Sequence, residues 1–377
     1  MIPILPDRSL PLSRRQLLRR SMLGLSGLML SSGLSSCGWR LGNVQNRGII
    51  QSAANEMFIY TWAQYVDQEL LKAFQTTSGI RAFTELFDSN EAMLAALQAG
   101  KGATFSIIYP SEYIIPEMRD KKLILPLDQS RLPGLTNLLP HLRQSPNDPG
   151  NQYGIPFSWG TTGLVYNSEK LPEAITDWDD LWKYKEKLKR RMTLLNDPRE
   201  VLGAALKSMG YSYNEKNPDL VKKASEKLLT LKPYIANFTT DAWRDQIAAG
   251  DLWVAMGYSS DAGPLLQQNP KLKYIVPKSG SSRWVDLMVI PATAPNVEGA
   301  YQWINFVMQP DVAAATAKRL AVTTPNLAAI ELLPADVQHD PVAYPPPEIL
   351  NRCEAMTFLD RSTAEVYDQA WLKVTSS

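Results

Sequence analysis

Few residues in this chain could make or break bonds. Its 377 residues include two cysteines, Cys37 and Cys353, and two histidines, His141 and His339. A nucleophilic thiol needs a neighbouring base, and neither histidine falls in a motif that would supply one. Cys353 reads as a packed thiol, and two cysteines are too few for a zinc site. No metal and no cofactor are implied. Acids and rings offer more. Trp284 and Asp286 stand two apart in a strand-like run, so both side chains point to one face, the geometry for an ammonium held between ring and carboxylate. Trp62 and Tyr65 follow the first strand-like run, where open α/β sheets bind their ligands; the competing role is that of core aromatics at a helix start. In Asp197-Pro-Arg-Glu200, an N-cap Asp, a Pro at the first helical position and a Glu at the third make a capping box on spacing alone.

The N-terminus carries processing information. Residues 1–36 hold Arg8, Arg14, Arg15, Arg19 and Arg20 against Asp7 alone, a net charge of +4 within a chain whose total is +1. The remainder is slightly acidic, with no basic patch for nucleic acid. Ser13-Arg-Arg-Gln-Leu-Leu18 looks like a twin-arginine export signal. The stretch Met22–Leu34 is broken by Gly24, Gly27 and Gly33 and does not make a spanning helix. Leu34-Ser-Ser-Cys37 resembles a bacterial lipobox, which would make Cys37 the lipidated N-terminus of an exported, membrane-anchored protein. Residues 37–56 then read as a tether.

The elements that must position the rings and acids alternate. Strands are expected at Met57–Thr61, Ile80–Phe87 and Phe105–Tyr109, with helices at Asp67–Thr77, Ser89–Gln98 and Glu112–Arg119. Pro140 to Pro156 reads as a loop before a strand at Thr161–Asn167. A second α/β unit follows, with helices near Trp178–Lys185, at Pro198–Met209, Asp219–Leu231 and Asp241–Ala249. Its strands are Met192–Leu195, Leu252–Met256 and Tyr274–Val276. Trp284–Ile290 opens a last section with helices at Val297–Met308 and Pro310–Leu320. This order needs crossovers and mostly parallel sheets covered by helices. Ligands of such folds bind beyond strand ends and between domains.

Over about residues 57 to 330 the sequence resembles the spermidine/putrescine-binding proteins of bacterial ATP-driven (ABC) importers. The resemblance lies in Tyr60-Thr-Trp-Ala-Gln-Tyr65-Val, Ser89-Asn-Glu-Ala-Met93, Pro110-Ser-Glu-Tyr113 and Ile155-Pro-Phe-Ser-Trp-Gly160. It continues in Asp177-Trp-Asp-Asp-Leu-Trp182, Asn196-Asp-Pro-Arg-Glu-Val201, Trp284-Val-Asp286 and Thr324-Pro-Asn-Leu-Ala328. It implies a type II periplasmic-binding-protein fold, α/β with two lobes that hinge on a cleft. Lobe one would comprise 55–162 and 285–330, and lobe two 163–284 and 331–377. It also implies a monomer that delivers a polyamine to ABC permease subunits from the periplasm, and no enzymatic activity.

By the same resemblance the ligand-contacting set is Trp62, Tyr65, Ser111, Tyr113, Asp197, Glu200, Tyr258, Trp284 and Asp286. Tyr258 stands where the family has a tryptophan, and Ser106 where it has an aspartate. A glutamine contact of the family falls near Thr357, where the likeness is too loose to carry it over. The set suits its ligand physically, since each aromatic face adds about 0.5–2 kcal/mol toward a cation and each carboxylate–ammonium hydrogen bond about 1.5–3 kcal/mol. The competing readings are a binder of another small organic cation or solute and a non-transport lipoprotein of the same fold. Acidic, aromatic cleft residues argue against anions.

Overall fold

The computed structural model describes residues 55–377 except Pro172 and Ser377. The export signal, Cys37 and nearly all of the tether lie outside the described residues. Among the described residues, no helix is long and apolar enough to cross a membrane.

Strand β1, Glu56–Thr61, buries Met57 and every residue from Ile59 to Thr61, and β2, Arg81–Leu86, pairs with it in parallel. Between them the helix Gln68–Ser78 starts where Asp67 accepts the Leu70 N–H and stops at Gly79, whose φ of 75° only glycine adopts cheaply. The short β3, Ile107–Ile108, lies parallel on the other side of β1. These are the parallel strands that the crossovers require.

The main departure from expectation is β4. It runs from Gly154 to Asn167, fourteen residues that are all buried, whereas the sequence suggested a strand beginning only at Thr161. A strand covered on both faces shows no alternation, and Pro156 disguises its start. That proline sits beside a shift in register between Pro156 and Ser158, the kind of irregularity at which a sheet tolerates a missing N–H.

The first half of β4 pairs antiparallel with β9, Ser281–Val289, and its second half with β7, Val254–Tyr258, and β8, Leu272–Ile275. Strands β5, Met192–Leu194, and β6, Ile235–Phe238, continue the sheet in the order β2-β1-β3-β9-β4-β7-β5-β6. A short β10, Cys353–Ala355, lies on β9. Long antiparallel strands thus join two mostly parallel halves. The packing is divided likewise. One core gathers residues 164–272 with Leu359, Tyr367 and Val374, and two others gather residues 57–159 and 285–308.

Smaller differences concern helices. The stretch 178–185 is helical only over Asp180–Lys183, and Glu112–Arg119 divides into a 3-10 turn and the helix Ile115–Asp120. Helices Ser259–Gln268 and Arg361–Ser376 were not foreseen.

Candidate functional site

A cavity of about 1120 Å³ opens between the two halves of the sheet, and all nine residues singled out from the sequence lie on its wall. Strand ends and crossover strands place them there.

Trp62 and Tyr65 follow β1. Gln64 between them has a φ of 69°, a left-handed turn that a residue with a Cβ adopts at some cost. The Trp62 ring packs edge-on against Phe87 at 4.3 Å, and its buried indole N–H has no partner. Tyr65 leans on Phe157, with ring centres 5.2 Å apart, and its hydroxyl donates to Asp286 Oδ2.

Asp286 and Trp284 sit on β9, opposite Ser158 and Gly160 of β4. The glycine is required here, because a Cβ at position 160 would lie 2.4 Å from the Trp284 ring. Asp286 is 7% exposed, and Ser111 Oγ donates to its Oδ1 at 2.6 Å. Burial pushes its carboxyl up to about 6, against the lowering effect of the two hydroxyl donors. Tyr258, at the end of β7, stands edge-on to Trp284 with ring centres 5.9 Å apart.

A run of hydrogen bonds continues along this wall from Ser111. Asn90 Oδ1 accepts the Ser111 N–H at 3.0 Å, and its amide donates to Ser111 Oγ at 3.1 Å and Tyr113 OH at 3.2 Å. The Tyr113 hydroxyl donates in turn to Glu91 Oε1 at 3.2 Å. Asn90 and Glu91 open the helix Asn90–Gln98, which Ser89 caps. The motif holding them was visible in the sequence, but it reads as a helix start, which hides their place on the cavity wall.

On the other half, Asp197 caps the helix Pro198–Lys207, accepting the N–H groups of Arg199 at 2.8 Å and Glu200 at 3.0 Å. This is the Asp197 half of the capping box read from spacing, without the reciprocal bond from Glu200. Glu200, however, turns its carboxylate toward the crossover strands, accepting from Thr162 of β4 at 3.0 Å and Ser282 of β9 at 2.8 Å. Tyr213 OH adds a third donor at 2.7 Å. Burial and the neighbouring Asp197 hold Glu200 above the usual carboxylate range, and burial does the same to Asp197.

Sequence reasoning missed several wall residues. Glu112 is 3% exposed with Oε1 unpartnered, and burial pushes it up to about 7. Asp261 lies three residues past Tyr258 and is paired with Arg244 at 2.8 Å. Met356 and Phe358 flank Thr357 on the wall. In all, ten acidic residues line the cavity against four cationic ones, Lys121, Arg199, Arg244 and Arg283.

Cys353 is not activated as a nucleophile. Burial pushes the Cys353 thiol up to about 11, and its Sγ donates to the Ile349 carbonyl. His141 packs on Trp159 with its Nε2 unpartnered, and burial holds it down at about 4. Among the described residues no cluster of His, Cys, Asp and Glu is arranged to hold a metal ion.

Comparison with known proteins agrees with this geometry. The family model for bacterial extracellular solute-binding proteins matches residues 69–345. The spermidine/putrescine-binding periplasmic protein of Salmonella typhimurium is 34% identical over 319 residues, covering 84% of this chain and 91% of that protein. The putrescine-binding periplasmic protein SpuD of Pseudomonas aeruginosa is 31% identical, covering 87% and 94%. Among solved structures, the spermidine/putrescine transporter substrate-binding protein PotD of Streptococcus pneumoniae superposes with a TM-score of 0.77 at 38% identity, covering 85% and 99%. The TpPotD lipoprotein of Treponema pallidum gives 0.77 at 26%, covering 85% and 100%. With a two-lobed fold, a cleft between crossover strands and relatives of this closeness, the chain belongs to the bacterial extracellular solute-binding proteins.

Proposed function

We propose that this protein captures a polyamine, putrescine or spermidine, outside the cytoplasm and delivers it to the permease of an ABC importer. The observation that carries the reading is the excess of carboxylates over cations on a cavity wall that also bears tryptophan and tyrosine rings. An ammonium seated against Asp286 would meet a carboxylate already oriented by Ser111 and Tyr65, with the Trp284 ring beside it. Preorientation of this kind spares the ligand the entropy of ordering its own partners. Methylene segments would lie against Trp62, Tyr258 and Trp284, whose faces attract cations as well. The polyamine binding of the named relatives supports the same choice.

In this reading the protein does no bond chemistry, works as a monomer in the periplasm and is held to the membrane through lipidated Cys37. Lobe one is formed by residues 55–162 with 285–330, and lobe two by 163–284 with 331–377. The nine residues from Trp62 to Asp286 form the binding set. Isothermal titration of the purified protein with putrescine and with spermidine tests the reading. Saturable heat with at least one amine at micromolar protein is expected, and no heat with either would overturn it.

A further inference from the structure

The cavity is too large for its volume to decide which ligand fits, exceeding the ~300–1,000 Å³ usual for small-molecule pockets. Charge at its ends can decide instead. Along one wall, the hydrogen-bonded run from Tyr65 through Asp286, Ser111 and Asn90 ends at Tyr113 and Glu91. At that end stands Arg199, from the facing half. Its guanidinium carbon lies 5.9 Å from the Tyr113 ring centre and 5.4 Å from that of Tyr367. The fork is fixed by Asn214 Oδ1 at 3.2 Å and the Thr357 carbonyl at 3.1 Å.

These anchors are neutral oxygens. Arg244, another cavity cation, differs in this respect, because two carboxylates hold it, Asp241 and Asp261, each at 2.8 Å. Arg199 lines the cavity with neutral oxygens as its hydrogen-bond anchors, and its charge partly offsets the burial and the Glu91 charge that hold Tyr113 and Asp197 above their usual ranges. It also occupies the aromatic face that an approaching ammonium would seek.

We infer that Arg199 is a length-setting end stop, a fixed cation that bars a further ammonium from the Tyr113 end and so limits the amines that can be held. The inference rests on the proposed binding of polyamines in this cleft. Repulsion between two unit charges about 6 Å apart in a partly solvated cleft is large enough to weaken binding on the order of a hundredfold. Amines too short to reach from Asp286 to the Tyr113 end avoid this repulsion. A tetra-amine such as spermine does not.

The test is competitive titration of the full protein and two variants, Arg199→Gln and Arg199→Lys, with putrescine, spermidine and spermine. The unmodified protein is expected to hold spermine at least tenfold more weakly than its preferred shorter amine. Arg199→Gln should narrow that ratio at least tenfold. Arg199→Lys, which keeps the charge but loses the planar fork, should preserve the ratio. If Arg199 only braced Asn214 and the Thr357 carbonyl, both variants would weaken all three amines in proportion and leave the ratio fixed, which would overturn the inference. Tight spermine binding by the unmodified protein would also overturn it, even should a variant fail to fold. Absence of binding by any amine would sink the underlying functional reading instead.

Discussion

Replacing Asp286 with asparagine removes one negative charge while nearly preserving shape, and its two effects should have opposite signs. In the complex, an ammonium would lose its counter-charge inside a site where the carboxylate is 7% exposed. Removing one partner of a buried, hydrogen-bonded charge pair costs about 2–5 kcal/mol. With ~1.4 kcal/mol per tenfold, the lower part of that range is a thirtyfold to thousandfold loss of affinity, since Ser111 and Tyr65 still supply polar surroundings. In the empty protein the charge is a burden. Burial raises Asp286 from 3.8 to about 6, and at ~1.4 kcal/mol per pH unit the ionised form carries a penalty of up to ~3 kcal/mol at neutral pH. Asp286→Asn should therefore raise the melting temperature of the ligand-free protein at pH 8 by a few degrees. Titration calorimetry for affinity and scanning calorimetry for stability read the two effects separately. An affinity within threefold of the parent, or a lower melting temperature with the weaker binding, would refute the assignment of Asp286 as a desolvated ligand acid.

Three further outcomes are expected. Because Asp286 and Glu200 are both held above the ordinary carboxylate range, lowering the pH from 8 to 5 should weaken amine binding by up to tenfold per unit for each group protonated. The empty protein binds those protons more tightly folded than unfolded, so its stability should rise as pH falls from about 7 toward 4. Titrations across this range check both signs, and pH-independent affinity would refute them. At the N-terminus, Cys37→Ser should shift the protein from the membrane to the soluble fraction of fractionated cells; unchanged partitioning would refute lipidation at Cys37.

Much of the fold was legible because local signals and packing agree. Asp67 and Gly79 bound one helix by cap chemistry, Ser89 starts another, and Pro310–Leu320 was read with its observed limits. The candidate residues were legible chiefly through the family resemblance, supported by the strand ends that several follow and by the strand face that Trp284 and Asp286 share. Elements whose burial leaves no periodic trace were not. Strand β4 is apolar on both faces and contains Pro156. The helix Arg361–Ser376 buries Thr363, Tyr367, Ala370 and Val374, residues too mixed in polarity to stand out as an apolar stripe. Arg199 shows how a role can depend wholly on a distant neighbour. In sequence it belongs to a cap, and only folding sets it over Tyr113. Glu200 is similar, since its partners Thr162 and Ser282 lie on strands far along the chain.

The pairing of β4 with β9 persists from Gly154 through Thr161, so the two halves are joined by ribbon rather than by loose coil. Movement between them would resemble the bowing of a leaf spring, with the ladder intact, its twist changed and little chain entropy gained or lost. Glu200 clamps both leaves of that spring through Thr162 and Ser282, and a guest drawing on the same carboxylate would alter the spring's resting curvature. Occupancy would thereby be translated into a shape that a docking partner can feel.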